Sequence, residues 1–272
     1  IRDYKVTGVQ TCALPICIAD TTTWNFTTQA AAISVTGTVY TDEGTTEIGA
    51  GFTVTLVVNG SGTSLSDDTD AGGQFTITGV SMSAGDTLSL YLDDETASGV
   101  TITLSQGATE TGVHIYQDRL ILRHENAGPI DVADLKTATN TGDYDLLRFI
   151  RADDLAAYVG WGYKTIIPSG MTFTPGGNVF FGSGVLIQGT MNGGSNELHV
   201  FGNWDNDGTF GSGTSTVTLT GESQSVEGGT TFYALEKTGL VQTSTGADTG
   251  GDVGQRSEEH TSELQSPCNL VC

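Results

Sequence analysis

Three histidines stand where a metal ligand or a general base could sit. His114 and His199 fall in alternating apolar stretches, and His124 lies beside a charged loop. A zinc centre or a nucleophilic triad needs partners of set type and spacing. No HExxH run occurs, and the four cysteines (Cys12, Cys17, Cys268, Cys272) are confined to the two ends. The histidines therefore read as strand-face or solvated side chains. Two acidic turns resemble the first half of a calcium loop, where oxygen donors at alternate positions converge on a hard cation. They are Asp67-Asp68-Thr69-Asp70-Ala71-Gly72 and Asn203-Trp204-Asp205-Asn206-Asp207-Gly208. Neither has the closing glutamate at the twelfth position: Gly79 stands there counting from Asp68, and Thr214 counting from Asn203. Asp, Asn and Gly are ordinary turn residues, so turn chemistry is the expectation. Asp93-Asp94-Glu95 and Asp153-Asp154 read as loop charges that could gather calcium only loosely. Paired carboxylates for glycoside hydrolysis are defined by spatial separation rather than by a motif, so that chemistry stays open. No catalytic residue, cofactor or metal ligand is assigned, and the chain reads as a non-enzyme.

The ends bear on how the rest is counted. Codons can be written for 256–272 (RSEEHTSELQSPCNLVC) whose reverse complement, read from its third base, translates without a mismatch as 1–16 (IRDYKVTGVQTCALPI). No fold requires such a relation, and the string looks like a sequencing-library adapter translated on both strands. The expectation is that 1–16 and 256–272 are adapter-derived and that the natural segment is an internal fragment of about 18–255, with its own termini missing. Cys17 shares its first codon base with the adapter, so the natural segment is effectively free of cysteine, and disulfide or thiol chemistry lapses.

The whole chain carries 10 Lys and Arg against 32 Asp and Glu, a net charge of -22. Arg2, Lys5 and Arg256 against Asp3, Glu258, Glu259 and Glu263 account for 3 − 4 = −1 of it, leaving −21 for the interior. Seven cationic side chains then remain: Arg119, Arg123, Lys136, Arg148, Arg151, Lys164 and Lys237. Nucleic acid is disfavoured as a partner, because binding it depends on Lys and Arg neutralising phosphates. An anionic membrane surface is disfavoured on the same ground, and no apolar run is long enough to span a bilayer.

The elements that must position any site are strands. Apolar residues alternate with Thr or Ser over short runs, the two-residue period of half-buried strands. Ile33-Val35, Phe52-Val58, Phe75-Ile77, Leu88-Leu92, Val100-Leu104, Val113-Ile115 and Leu120-Leu122 are seven such runs, separated by Gly, Asp and Ser. They predict an antiparallel β-sandwich over 33–123. Phe52, Val54, Leu56, Phe75, Ile77, Leu88 and Leu90 are expected inside, with Thr53, Thr55, Thr76 and Ser89 facing out. Val35-Thr-Gly37-Thr-Val39-Tyr-Thr-Asp42-Glu-Gly44, Thr69-Asp70-Ala-Gly72-Gly-Gln-Phe75-Thr-Ile77 and Gly85-Asp-Thr-Leu88 carry a further signal. This stretch resembles the carboxypeptidase-regulatory-like, transthyretin-like modules of bacterial secreted proteins. The resemblance implies a non-catalytic Ig-like spacer, and the long Val58 to Thr69 connection departs from it.

The pattern changes beyond residue 123. In the connecting region 124–163, Asp131 is placed to cap a short helix, while Leu146-Ile150 and Leu155-Val159 lean towards strands. Over 164–238 apolar peaks recur at Ile166, Phe173, Phe180 and Ile187, each broken by Gly, Pro or Asn. Short strands at such spacing predict a parallel β-solenoid, with a second sandwich as the alternative. Phe173, Phe180, Ile187, Val200, Phe210, Val217 and Leu219 are expected to line its interior. Gly202-Asn203-Trp204-Asp-Asn206-Asp-Gly208-Thr-Phe210, then Gly213-Thr214-Ser-Thr-Val217-Thr-Leu219 and Phe232-Tyr-Ala-Leu235, resembles the GNWxNxGTF repeats of large bacterial surface and autotransporter-like proteins. One full copy is visible. The resemblance implies Asn and Asp bonding between coils, Trp204 and Phe210 in the interior, and a cell-surface or secreted location.

The fold class expected is all-β, a sandwich followed by a β-solenoid-like repeat region. Function is expected to be that of a non-catalytic structural or adhesion fragment of a large bacterial surface or secreted protein. Its partners would be a surface ligand or neighbouring modules of the parent chain. The alternative is a polysaccharide-binding or polysaccharide-active β-helix protein, in which exposed Trp161, Tyr163 and Trp204 would stack on sugars. Exposure of those rings separates the two.

Overall fold

The computed structural model describes residues 33–126 and 128–238; the expectations for 1–16 and 256–272 lie outside them. Eight strands build the first half: β1 (Ile33–Tyr40), β2 (Thr53–Val58), β3 (Ser61–Asp68), β4 (Gln74–Val80), β5 (Ala84–Leu92), β6 (Val100–Gln106), β7 (Ile115–Tyr116) and β8 (Arg119–Leu122). Sheet β4-β1-β7 faces the antiparallel ribbon β3-β2-β5-β6. Between them Val35, Val39, Val54, Leu56, Phe75, Ile77, Leu88 and Leu90 form one core, the alternating residues the sequence marks as inward. Phe52 is only partly buried and packs at its edge. No helix falls between residues 33 and 123.

Two features differ from expectation. The Val58 to Thr69 connection is a strand. Asn59 and Gly60 sit at φ 52° and 59°, a two-residue turn whose backbone twist matches the flanking strands, and β3 then pairs antiparallel to β2. Its sequence SGTSLSDD has one apolar residue, so hydrophobic alternation does not register it. Secondly, Thr55 and Ser89 are buried rather than outward, while Thr76 is exposed and Thr53 intermediate. The reason is a second apolar layer. Val57, Tyr91, Val100, Ile102 and Leu104 on the far face of the same sheet belong to a second core, shared with everything downstream.

That second core begins with a cap. Strand β8 pairs parallel to β6, and the chain then enters helix α1 (Val132–Ala138), whose Val132, Leu135 and Ala138 are buried. Asp131 caps it in a full capping box: its Oδ1 accepts from Asp134 N and Asp134 Oδ2 accepts from Asp131 N, both at 2.9 Å. The expected cap is therefore present. Residues Tyr144–Leu147 form a second, one-turn helix, α2, capped by Asp143, and a strand appears only at β9 (Ile150–Ala152). The expected strand at 146–150 is thus half helix: its apolar spacing suits both periods, and the Asp143 cap decides the first half. The strand expected at Leu155-Val159 is present as β10 (Ala156–Val159), antiparallel to β9.

Asp134 makes the cap pH-sensitive. Burial raises its carboxyl from the usual 3.8 to about 6, with the neighbouring Asp131 carboxylate adding to the effect against its backbone hydrogen bond. A carboxyl whose pKa is higher folded than unfolded holds its proton more tightly when folded. It therefore penalises the fold once ionised, and the penalty grows as pH rises from about 3.8 to about 6. Between pH 7 and pH 5, Asp134→Asn is expected to lose part of the wild-type gain in thermal midpoint. A variant whose midpoint follows the wild-type pH profile would show that Asp134 does not titrate there.

From β10 the chain winds into three-stranded coils. The remaining strands are β11 (Lys164–Ile167), β12 (Thr172–Phe173), β13 (Asn178–Phe181), β14 (Val185–Ile187), β15 (Thr190–Asn192), β16 (Glu197–Val200), β17 (Trp204–Asn206), β18 (Thr209–Gly211), β19 (Thr216–Leu219), β20 (Val226–Gly228) and β21 (Ala234–Lys237). They stack in parallel as three sheets: β10-β13-β16-β19-β21, β11-β14-β17-β20 and β12-β15-β18. Partners Val179, Leu198 and Val217 advance by 19 residues per coil, as do Met191 and Phe210. The seven-residue peaks thus mark the three strands within a coil, and the region is the parallel solenoid rather than the second sandwich. β11 also pairs parallel to β8, so one nine-stranded sheet runs from the sandwich into the solenoid without a break.

Of the expected lining, Phe173, Ile187, Val200, Val217 and Leu219 are buried in this core and Phe210 packs against it. Phe180 does not line it. Val179, Phe180 and Phe181 are three apolar residues in a row, and it is Val179 and Phe181 that point inward. Polar side chains join successive coils: Asn178 Oδ1 accepts from Glu197 N, Asn203 Oδ1 from Ser225 N, and Asn192 Nδ2 donates to Thr174 Oγ1.

Candidate functional site

The cap and the first coil leave a cavity of about 720 Å³ between them. Helix α2 contributes Tyr144, and the segment running from it into β9 contributes Arg148 and Arg151. Tyr158 comes from β10, and Trp161 and Tyr163 from the turn that follows. Tyr144 is 74% exposed and Trp161 72% exposed. Two large rings exposed at one cavity make it the candidate site among the described residues.

The Trp161 turn is hydrogen-bonded and closely packed against the next coil. Gly160 and Gly162 both occupy the left-handed region, at φ 61° and 80°, which glycine alone adopts without penalty. Tyr163 N donates to Gly160 O at 2.7 Å, and a Cβ on Gly182 of the next coil would lie 2.8 Å from Trp161 Cα. The backbone is thus wedged against its neighbour while the indole stands free. Tyr163 is stacked on Phe149 at 4.0 Å, within 20° of parallel.

Beside the turn, a ladder of rings crosses the outer face of sheet β10-β13-β16. Tyr158 stacks on Phe180 at 4.6 Å, and Phe180 on His199 at 4.5 Å. Phe180 has both faces covered. Tyr158 has one, and its other side turns towards β9, where Arg151 is its register partner. Arg151 is exposed and has no ion pair among the described residues. Arg148 is half-buried, with Nη2 2.6 Å from Asp145 Oδ1.

Next to α2 lies an acidic cluster. Asp93, Asp94 and Asp145 bring carboxylate oxygens within 4.8 Å of one another, and they are the donors that could hold a cation. Asp145 is already engaged: Oδ2 accepts from Asp94 N at 2.8 Å and Oδ1 faces Arg148. Burial, with the charges of Asp143, Asp94 and Asp145, holds the Asp93 carboxyl above its usual range despite the Thr55 hydroxyl. Burial and Asp143 push the Tyr91 phenol up as well.

The other residues with chemical potential lie elsewhere. His114 Nδ1 accepts from Thr38 N at 3.1 Å, and burial, helped by Arg123, lowers its pKa. His124 Nε2 accepts from Thr172 N at 3.0 Å and its Nδ1 faces Asn126 O at 2.7 Å, so it braces two loops. His199 belongs to the ladder. In the first calcium-like segment Asp70 Oδ1 accepts from Gly72 N and Gln74 N, and Asp67 Oδ2, at the end of β3, from Thr76 N. In the second, Asn203 bonds the next coil, and Asn206 is buried, donating to Thr230 Oγ1 and Gly229 O. Trp204 is fully buried, its Nε1 donating to the same Thr230 Oγ1 at 3.1 Å. Of the three rings named as a sugar platform, Trp204 is excluded by burial, Tyr163 is half-stacked, and Trp161 alone stands free.

Sequence reading missed Tyr144, Tyr158, Arg148 and Arg151. The paired glycines around Trp161 were a legible signal, since Gly-Trp-Gly displays an aromatic on a turn. The others converge only through the cap. Comparison of the chain with protein-family models, with curated proteins and with solved structures found no match.

Proposed function

We propose that this chain is a non-catalytic structural or adhesion segment of a large bacterial cell-surface or secreted protein. The observation that supports the reading is the coil stack itself. Successive coils repeat at about 19 residues, each covers its neighbour's apolar rim, and side chains of one coil bond backbone of the next, as Gln224 Nε2 does to Val200 O at 2.8 Å. Such a stack extends by adding coils and holds side chains at fixed positions along its outer faces. The sandwich, joined through the nine-stranded sheet, acts as a rigid base. An acidic surface suits a segment that stays in water without adhering to nucleic acid or anionic lipid.

The experiment is an activity screen. Incubated with plant and bacterial polysaccharides, the protein is expected to release no reducing ends, while antibody against it labels intact source cells without permeabilisation. Turnover abolished by changing one carboxylate in 164–238 would replace this reading with that of an enzyme.

A further inference from the structure

We propose that the cavity between the cap and the first coil binds an acidic oligosaccharide, one bearing a carboxylate on its sugar ring, with Trp161, Tyr144 and the open face of Tyr158 as stacking surfaces and Arg151 as the carboxylate anchor. The proposal rests on the adhesion reading and names the ligand class that reading leaves open.

The aromatic half of the argument is geometric. Sugar rings present apolar C–H faces that pack on aromatic faces, and rings so used must be exposed, preorganised and uncovered. Trp161 meets all three conditions, on a turn closed by the Tyr163 N to Gly160 O hydrogen bond and packed against Gly182 of the next coil. Tyr144, also exposed, lines the same cavity. The ladder contributes only its first member: Phe180 and its neighbours spend their faces on one another, so the outer face of the solenoid as a whole is no platform.

The cationic half rests on charge. A chain with a net charge of -22 sets up an overall field that opposes anions. Against that field two arginines line this one cavity. Arg148 is tied to Asp145, but Arg151 points out beside Tyr158 with no acidic partner among the described residues. A guanidinium presents two parallel N–H donors that match a carboxylate, and it keeps its charge at any working pH. Each uronate ring carries one carboxylate, and the ring seated on Trp161 and Tyr158 would place its own against Arg151.

The test is titration of the full chain with tetragalacturonate and with cellotetraose, a neutral tetrasaccharide of equal length, by calorimetry and tryptophan fluorescence at low salt. Tetragalacturonate is expected to bind more tightly, and added salt to weaken it. Trp161→Ala should reduce binding of both sugars at least about tenfold. Arg151→Gln should reduce tetragalacturonate binding by a similar factor and leave cellotetraose unchanged, with Arg151→Lys intermediate. Both side chains are exposed, so unchanged thermal midpoints should accompany these losses. Equal affinity for the two sugars, or indifference to Arg151→Gln, would overturn the anionic assignment. Absence of binding at millimolar sugar would overturn the site. Cleavage of bound tetragalacturonate would leave the site standing and refute the non-catalytic reading instead.

Discussion

Replacing Trp204 with alanine is expected to lower the unfolding free energy by about 3–5 kcal/mol, the range for deleting a fully buried large aromatic. The indole has no exposed surface. It meets Phe210 edge-on at 4.8 Å and Phe232 at 5.3 Å, closing the core where three coils meet. Its loss removes that packing and also one of the two donors to Thr230 Oγ1, leaving Asn206 alone there. Phe201→Ala is the matched control: its ring is 60% exposed, and the change should stay within about 0.5 kcal/mol. Denaturant titration of both variants checks this. Equal costs would mean that Trp204 does not sit in a packed interior.

The second large effect concerns close approach of coils. A Cβ on Gly208 would lie 2.2 Å from Gly189 O on the coil below, well inside contact distance and against backbone, which cannot swing aside. Gly208→Ala is therefore expected to cost about 3 kcal/mol or more, at or above the usual range for overpacking, or to prevent soluble folding. The backbone at Gly208 is not in the left-handed region, so the effect is steric. Gly229→Ala provides the contrast, since nothing lies within 4 Å of its added carbon, and it should fold with little change. Expression and thermal unfolding of the two variants side by side decide the matter; similar behaviour would contradict coil contact at Gly208.

The sandwich strands were legible because Val54, Leu56, Phe75, Ile77, Leu88 and Leu90 alternate with small polar residues, and burial of one face is what alternation records. It could not record a sheet covered on both sides. Thr55 and Ser89 look outward in sequence yet lie under the cap and the start of the solenoid, alongside Val57 and Tyr91. Strand β3 was hidden by its polarity, although Asn59-Gly60 announced the hairpin that makes it. The solenoid was legible from strand length and breaker spacing. Its 19-residue repeat was not, because the coils keep shape rather than identity: Phe173, Met191 and Phe210 occupy one interior column, and Gly189-Thr190-Met191 stands one coil below Gly208-Thr209-Phe210. Only alignment at that offset reveals the earlier, degenerate copies.

The candidate site was legible in two residues, Trp161 and Tyr163. Trp161 shows itself through its flanking glycines, whereas Tyr144 comes from α2, whose apolar spacing also fits a strand, and Arg151 meets Tyr158 because the Asp153 turn folds β9 antiparallel onto β10. Trp204 lies in the interior, as the repeat resemblance implied and against the sugar-platform alternative: in β17 it alternates inward with Asn206 while Asp205 takes the outer position.

The central claim is that the chain from residue 164 winds as parallel coils in one register. It is tested most directly by spin labels at Thr172 and Thr209, which lie 37 residues apart in sequence and two strands apart in the column β12-β15-β18. Strands pair at about 4.8 Å, so the backbones at these positions should be roughly 10 Å apart. Dipolar broadening of the continuous-wave spectrum corresponding to a short separation of that order, with intermediate broadening lost when either label is moved to Leu155, is the result expected. A separation beyond about 20 Å between Thr172 and Thr209, more than four strand spacings, would contradict the stacked coils and every inference drawn from them.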